Sequence, residues 1–119
     1  MQNNRETTGY WPKEPDALTA AAGRHKSLFE NDSVRVIDAV IPPGEITALH
    51  THRWPASLYI LSWSGFIRYG AQGNILVDSR NSATPPSPRT ALWSEPLALH
   101  QLKNTGNENL HVISVEMIT

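Results

Sequence analysis

After Gly23 no stretch of this chain is long enough to build a helix before a proline, a glycine or a run of β-branched residues interrupts it. What stands there instead is a series of short apolar runs. They cover Val34 to Ile41, Ile46 to His52, Ser57 to Trp63, Phe66 to Tyr69, Ile75 to Asp78, Ala91 to Ser94, Leu97 to Lys103 and Leu110 to Ile118. Turn residues separate them, among them Pro42-Pro43-Gly44, Gly70 to Gly73 and Asn104-Thr105-Gly106-Asn107. Eight strand-length runs within about 90 residues predict an all-β sandwich or barrel, with a jelly roll the natural candidate. Several runs, such as Leu58 to Leu61, are apolar on both faces, as expected where one face lines a barrel and the other meets an arm or a second subunit. The segment Asp78 to Thr90 cannot continue a sheet, because Pro85, Pro86 and Pro88 remove ladder donors, and it is expected to be a loop.

Ahead of these runs, residues 1–26 read as an N-terminal arm and residues 27–119 as the folded domain. The arm is polar at first, then carries Tyr10-Trp11, Pro12 and Pro15, then an alanine-rich stretch from Asp16 to Ala22. That stretch predicts one or two helical turns capped by Asp16 and stopped at Gly23. A length of 119 residues suffices for one domain with its own core. The chain has no cysteine, so disulfides, thiolate ligands, iron-sulfur clusters and a cysteine nucleophile are all excluded.

Ten basic and eleven acidic residues are scattered along the chain and leave a net charge of -1, which argues against nucleic acid as a partner. Neither a signal-like apolar core nor a run near the roughly 20 apolar residues of a bilayer span occurs, so no membrane partner and a cytoplasmic location are expected.

The histidines carry the chemistry. His50 and His52 flank Thr51 in one candidate strand, and His100 lies in another. Side chains two apart share a face of a strand and lie about 7 Å apart along it, close enough to converge on one metal ion at roughly 2.1 Å. A neutral imidazole is the commonest protein ligand for such ions. The parity of the second strand agrees, since His100 shares its face with Ala98 and Leu102, residues suited to a barrel interior. His25 in the arm and His111, which alternates with Ile113, Val115 and Met117, read as satisfied structural histidines outside the metal set. Arg35 and Arg68 alternate with apolar neighbours and read as solvated outer-face residues.

From Leu28 to Glu116, about three-quarters of the chain, the sequence resembles a small single-domain cupin. The resemblance is carried by Asn31-Asp32-x-Val34-Arg35-Val36, Ile41-Pro42-Pro43-Gly44-Glu45, His50-x-His52, Gly65, His100-x3-Asn104 and the closing Val112-Ile113-Ser114-Val115-Glu116. It implies a cupin-type jelly-roll β-barrel (double-stranded β-helix), a divalent metal ion (Fe, Zn, Mn or Ni) held by His50, His52 and His100, and a homodimer. The pattern is incomplete. The acidic ligand position of the first cupin motif falls on Ala56 or Ser57, and Arg89, Glu95 and Leu97 stand where the second motif has glycine, proline and glycine.

Three imidazoles without a carboxylate leave a divalent ion its full charge, which favours a small anionic organic molecule as partner. The three-histidine cupins that the site resembles include thiol dioxygenases and a diketone-cleaving dioxygenase, so a metal-dependent dioxygenase acting on a small anionic substrate is the first expectation. A non-catalytic small-molecule binder or sensor, with or without metal, is the alternative. An isomerase or epimerase, suggested by fold analogy alone, is disfavoured because no inward-facing carboxylate offers itself as a base. Ser57, at the vacant ligand position, and Tyr59, two residues on, are the catalytic candidates, with Trp63, Trp93 and Gln101 as further neighbours of the site. Arg53 is a candidate partner for a substrate carboxylate, and Glu95 a candidate to enter the site from its loop.

Overall fold

The computed structural model describes residues 16–81 and 85–118. These form a short helix α1 (Ala17–Ala20) and the strands β1 (His25–Glu30), β2 (Val34–Ile41), β3 (His50–His52), β4 (Ala56–Ser62), β5 (Phe66–Gly70), β6 (Ile75–Asp78), β7 (Ala91–Ser94), β8 (Leu97–Asn104) and β9 (Leu110–Met117). A single 3-10 turn, Ser79–Asn81, follows β6. The strands make a five-stranded sheet in the order β1-β2-β9-β4-β7 and a four-stranded sheet in the order β3-β8-β5-β6, with antiparallel pairing throughout. This is the expected all-β jelly-roll barrel. Among the described residues no helix is long and apolar enough to cross a membrane.

The centre of the larger sheet fixes which side chains face inward. β2 pairs with β9 along its whole length, from Val34 opposite Met117 to Ile41 opposite Leu110, and β9 pairs with β4 on its other side. Alternation then buries Arg35, Ile37 and Ile41 from β2, Ala56 and Ile60 from β4, and Leu110, Ser114 and Glu116 from β9. The opposite face of β4 presents Tyr59 and Leu61 outward, both exposed, beside exposed Trp93 of β7.

Three expectations change. β1 is a full strand where the sequence pattern showed none; it pairs only with β2, and His25 is its one buried residue, so no alternation marks it. The run from Ile46 is a strand only over His50–His52, because Thr47 satisfies β8 differently: its N–H donates to the Leu102 carbonyl, and its hydroxyl accepts from the Leu102 N–H at 3.0 Å. Arg35 is inside. Its guanidinium donates to Asp16 at 2.9 Å and to Glu116 at 2.7 Å, and two carboxylates compensate a charge that one apolar neighbourhood could not hold.

Asp16 therefore does two things. One carboxylate oxygen accepts from the Leu18 N–H at 3.2 Å and caps α1, while the other accepts from Arg35. It also bridges to Thr51, between His50 and His52. The part of the arm from Asp16 to His25 is thus packed against the barrel, with Asp16, Ala17, Ala21 and His25 all buried. Residues 1–15, including Tyr10 and Trp11, and residues 82–84 of the proline-rich loop lie outside the described residues.

At the other end, Gly44 adopts φ +80°, a conformation that favours glycine, and its N–H donates to the Asn104 carbonyl. Asn104 is fully buried. Its amide donates to the carbonyls of Ile41 and Glu108 and accepts from Ser64 and the Gly106 N–H, which locks the turn before β9.

Candidate metal centre

His50 of β3 sits directly opposite His100 of β8 in the ladder, and an irregularity between His50 and His52 sets His52 opposite Leu97. The ring centroids of His50 and His100 are 4.3 Å apart, those of His50 and His52 5.0 Å, and those of His52 and His100 5.6 Å. The sequence-predicted trio is brought together. A fourth imidazole joins it: the His25 ring lies 5.0 Å from His50 and 5.3 Å from His52. The donor atoms of His25, His50 and His52 all lie within 4.8 Å of one another. The reading of His25 as a structural histidine outside the metal set is corrected accordingly, because α1 and β1 fold that segment onto the barrel.

Each ring is turned by a hydrogen bond at Nδ1. His50 Nδ1 meets the Ala48 carbonyl at 2.8 Å, His100 Nδ1 the Ala98 carbonyl at 2.7 Å, and His25 Nδ1 the Ala21 carbonyl at 3.0 Å. A carbonyl only accepts, so Nδ1 carries the proton in these three rings and Nε2 keeps its lone pair. His52 Nδ1 donates to Glu116 Oε2 at 3.3 Å with the same result. His50 and His100 each end the same tripeptide, Ala48-Leu49-His50 and Ala98-Leu99-His100, and the two histidines face each other across an antiparallel ladder.

Burial keeps the rings neutral. Desolvation, with His52 contributing and Ala21, Glu116 and Asp16 opposing, lowers His25 from 6.5 to about 4, and desolvation lowers His50 to about 4 as well. Desolvation together with the charge of His50 lowers His52 and His100 to about 3. Three of these neutral imidazoles, those of His25, His50 and His52, bring their donor atoms close enough together to fit a divalent transition metal ion, whereas the His100 donor lies outside that group.

The missing acidic ligand has a counterpart across the ladder. Ala56, at the vacant motif position, pairs with Glu116 of β9, which is fully buried. Desolvation raises the pKa of Glu116 and Arg35 opposes that rise. The expectation that no carboxylate faces inward is therefore overturned. Both Glu116 oxygens are nonetheless engaged, one by Arg35 and one by His52, so it orients the His52 ring and is not free to act as a base. Parity along Leu110, Val112, Ser114 and Glu116 carries the signal that locates it.

The histidines open onto a cavity of about 130 Å³ between the two sheets. Its other walls are largely apolar: Trp54, Leu58, Trp63, Phe66, Leu97, Leu102 and Val112 contribute, with Trp63 and Phe66 edge to face at 5.6 Å. Arg68 also lines it, contrary to the expectation of a solvated outer face. Ser57 and Tyr59 do not line it. They sit on the outward face of β4, opposite Trp93 and Ala91 of β7, while Ala56 and Leu58 face the cavity. Trp93 donates its indole N–H to Glu95 at 2.6 Å away from the cavity, and Gln101 donates to the Thr47 carbonyl at 3.1 Å. Arg53 lies 4.0 Å over the Trp54 ring and is not a cavity residue. His111 pairs with Asp38 at 2.7 Å on the outer face, as a structural histidine should.

The jelly-roll strand order gives this chain a fold that solved cupin structures share. A cupin domain from Bordetella pertussis Tohama I superimposes with a TM-score of 0.62 at 14% identity, over 78% of this chain and 90% of that one. An RmlC-like cupin with a double-stranded β-helix fold from Methanocaldococcus jannaschii gives 0.54 at 13% identity, over 78% and 77%. A double-stranded β-helix protein from Klebsiella pneumoniae gives 0.52 at 17% identity, over 98% and 88%. No family model and no curated protein matches the sequence.

Proposed function

We propose that this protein is a metal-dependent enzyme of the dioxygenase type, acting on a small anionic organic molecule. The observation that supports it is the group of four neutral imidazoles with Nδ1 committed to acceptors, so that Nε2 of His25, His50 and His52 is left to a metal ion (Fe, Zn, Mn or Ni), with His100 beside them. When bound, such an ion would supply Lewis acidity and, if iron, a route to dioxygen chemistry. The chain's own residues hold the rings in register, keep Glu116 behind His52, and shield the site with apolar walls. A non-catalytic binder is the second reading, favoured by the same apolar walls and by the lack of a free base among the cavity residues.

Elemental analysis after reconstitution with Fe, Mn, Ni or Zn tests the metal. About one ion per chain is expected for the wild type, with a marked loss in His50→Ala and in His25→Ala. A wild type that takes up none of the four ions sinks the reading. Oxygen uptake with β-diketones, thiols and keto acids then separates enzyme from binder, and a metal-loaded protein silent across that panel shifts the assignment to the binder.

A further inference from the structure

Apart from the histidines, Arg68 is the one ionisable residue among the described residues that line the cavity. It stands on β5 opposite Leu102 of β8, and Leu102 shares its face with His100 two residues back, so Arg68 lies about 7 Å along the sheet from the histidine cluster. Its charge is felt there, acting to lower the pKa of His50, His52 and His100. Its Nε is buried with no hydrogen-bond partner, and no carboxylate pairs with its guanidinium among the described residues. Desolvation alone pulls its own pKa down from 12.5.

Arg35 shows how this fold treats a buried guanidinium that serves structure: two carboxylates meet it. Arg68 has none, and around it are Trp63, Phe66 and Leu102. Arg68 as a whole is half-buried, but its buried Nε leaves a hydrogen bond unmade, a cost to the fold that an incoming anion would relieve. A guanidinium offers a planar fork matched to a carboxylate, while the neighbouring aromatic rings suit an apolar body.

We propose that Arg68 is the anion anchor of the cavity, binding the carboxylate of a small organic acid whose apolar body lies against Trp63 and Phe66 and whose far end reaches toward the histidine cluster. The proposal rests on the proposed metal centre only for what the far end meets. It names the specificity-determining residue of the site, and gives that role to Arg68 in place of Arg53, which is stacked on Trp54.

Calorimetric titration of chelated, metal-free protein with benzoate and with its neutral isostere benzamide isolates the Arg68 contribution from any ion. The wild type is expected to prefer benzoate by about tenfold or more. Arg68→Met should abolish that preference and Arg68→Lys retain part of it, with melting temperature no lower in Arg68→Met than in the wild type. On wild-type protein, benzoate but not benzamide should shift the ¹⁵Nε resonance of Arg68, which keeps the test independent of whether a variant folds. Equal affinity for the two probes, no benzoate binding at millimolar concentration, or an undiminished preference in Arg68→Met would each overturn the proposal. Metal content, measured in parallel, reports separately on the metal reading, so the two can fail independently.

Discussion

Glu116 decides more at the centre than any residue outside the four rings. It stands one strand away from the position where a cupin ligand carboxylate is expected, holds His52 by Nδ1, and is itself held by Arg35. Replacing it by glutamine substitutes an amide for an acceptor-only group. If the amide nitrogen turns toward His52, the ring must protonate Nε2 and stops being a ligand. Glu116→Gln is therefore expected to weaken metal binding by about 10- to 100-fold, measured by competition with a chelating dye. Unchanged affinity would show that His52 does not depend on this carboxylate. The residue scale is also where sequence reading fell shortest. Charge made Arg35 and Arg68 look external, yet one is neutralised by two carboxylates and the other lines a cavity. Ser57 and Tyr59 were placed on a common face correctly, but β4 is apolar on both faces, and period-two alternation cannot say which face is inside.

Among the elements, α1 is the smallest and carries the most coupling. Four residues long, it depends on Asp16 for its cap, and Asp16 also completes the neutralisation of Arg35. The two roles are separable by mutation. Asp16→Asn keeps a capping side chain and loses the ion pair, and is expected to cost about 1–3 kcal/mol. Asp16→Ala removes the cap as well, for roughly 1 kcal/mol more. Urea unfolding of the two variants beside the wild type checks this, and an Asp16→Asn protein as stable as wild type would show that the pair contributes nothing. The Asp16 cap was legible in the sequence, as were β2, β6 and β7 with the bounds found, whereas the helix stops at Ala20 with Ala21 as its C-cap, short of the expected Gly23. β1 was not: it is an edge strand with only His25 buried, so nothing in its pattern separates it from a loop, and missing the strand meant missing His25 as a fourth ring.

For the molecule as a whole, the histidine cluster sets a pH limit. In the unfolded chain each imidazole titrates near 6.5, while in the metal-free fold the four are lowered to about 4, 4, 3 and 3. Above pH 6.5 both states are neutral at these rings and the term is flat. Below it the unfolded chain takes up protons that the fold refuses, so stability falls as pH drops through the window from 6.5 toward 3–4. The upper bound is about 2 kcal/mol per histidine at pH 5. Glu116, raised by burial, works in the opposite direction at lower pH and is a single group against four. Melting temperature of the metal-free protein should therefore be level from pH 8 to 6.5 and decline steadily below that. A flat profile to pH 5 would show that the rings are not buried neutral.

The paired Ala-Leu-His tripeptides bear on how the site is encoded. His50 and His100 are turned by carbonyls two residues back, and His25 by one four residues back, so only His52 takes its orientation from a distant segment, 64 residues away. Ring orientation is thus mostly written into short stretches of chain, whereas convergence is not, since the donors come from β1, β3 and β8. A peptide carrying any one of these stretches holds the instruction for a correctly turned imidazole and no part of the centre itself.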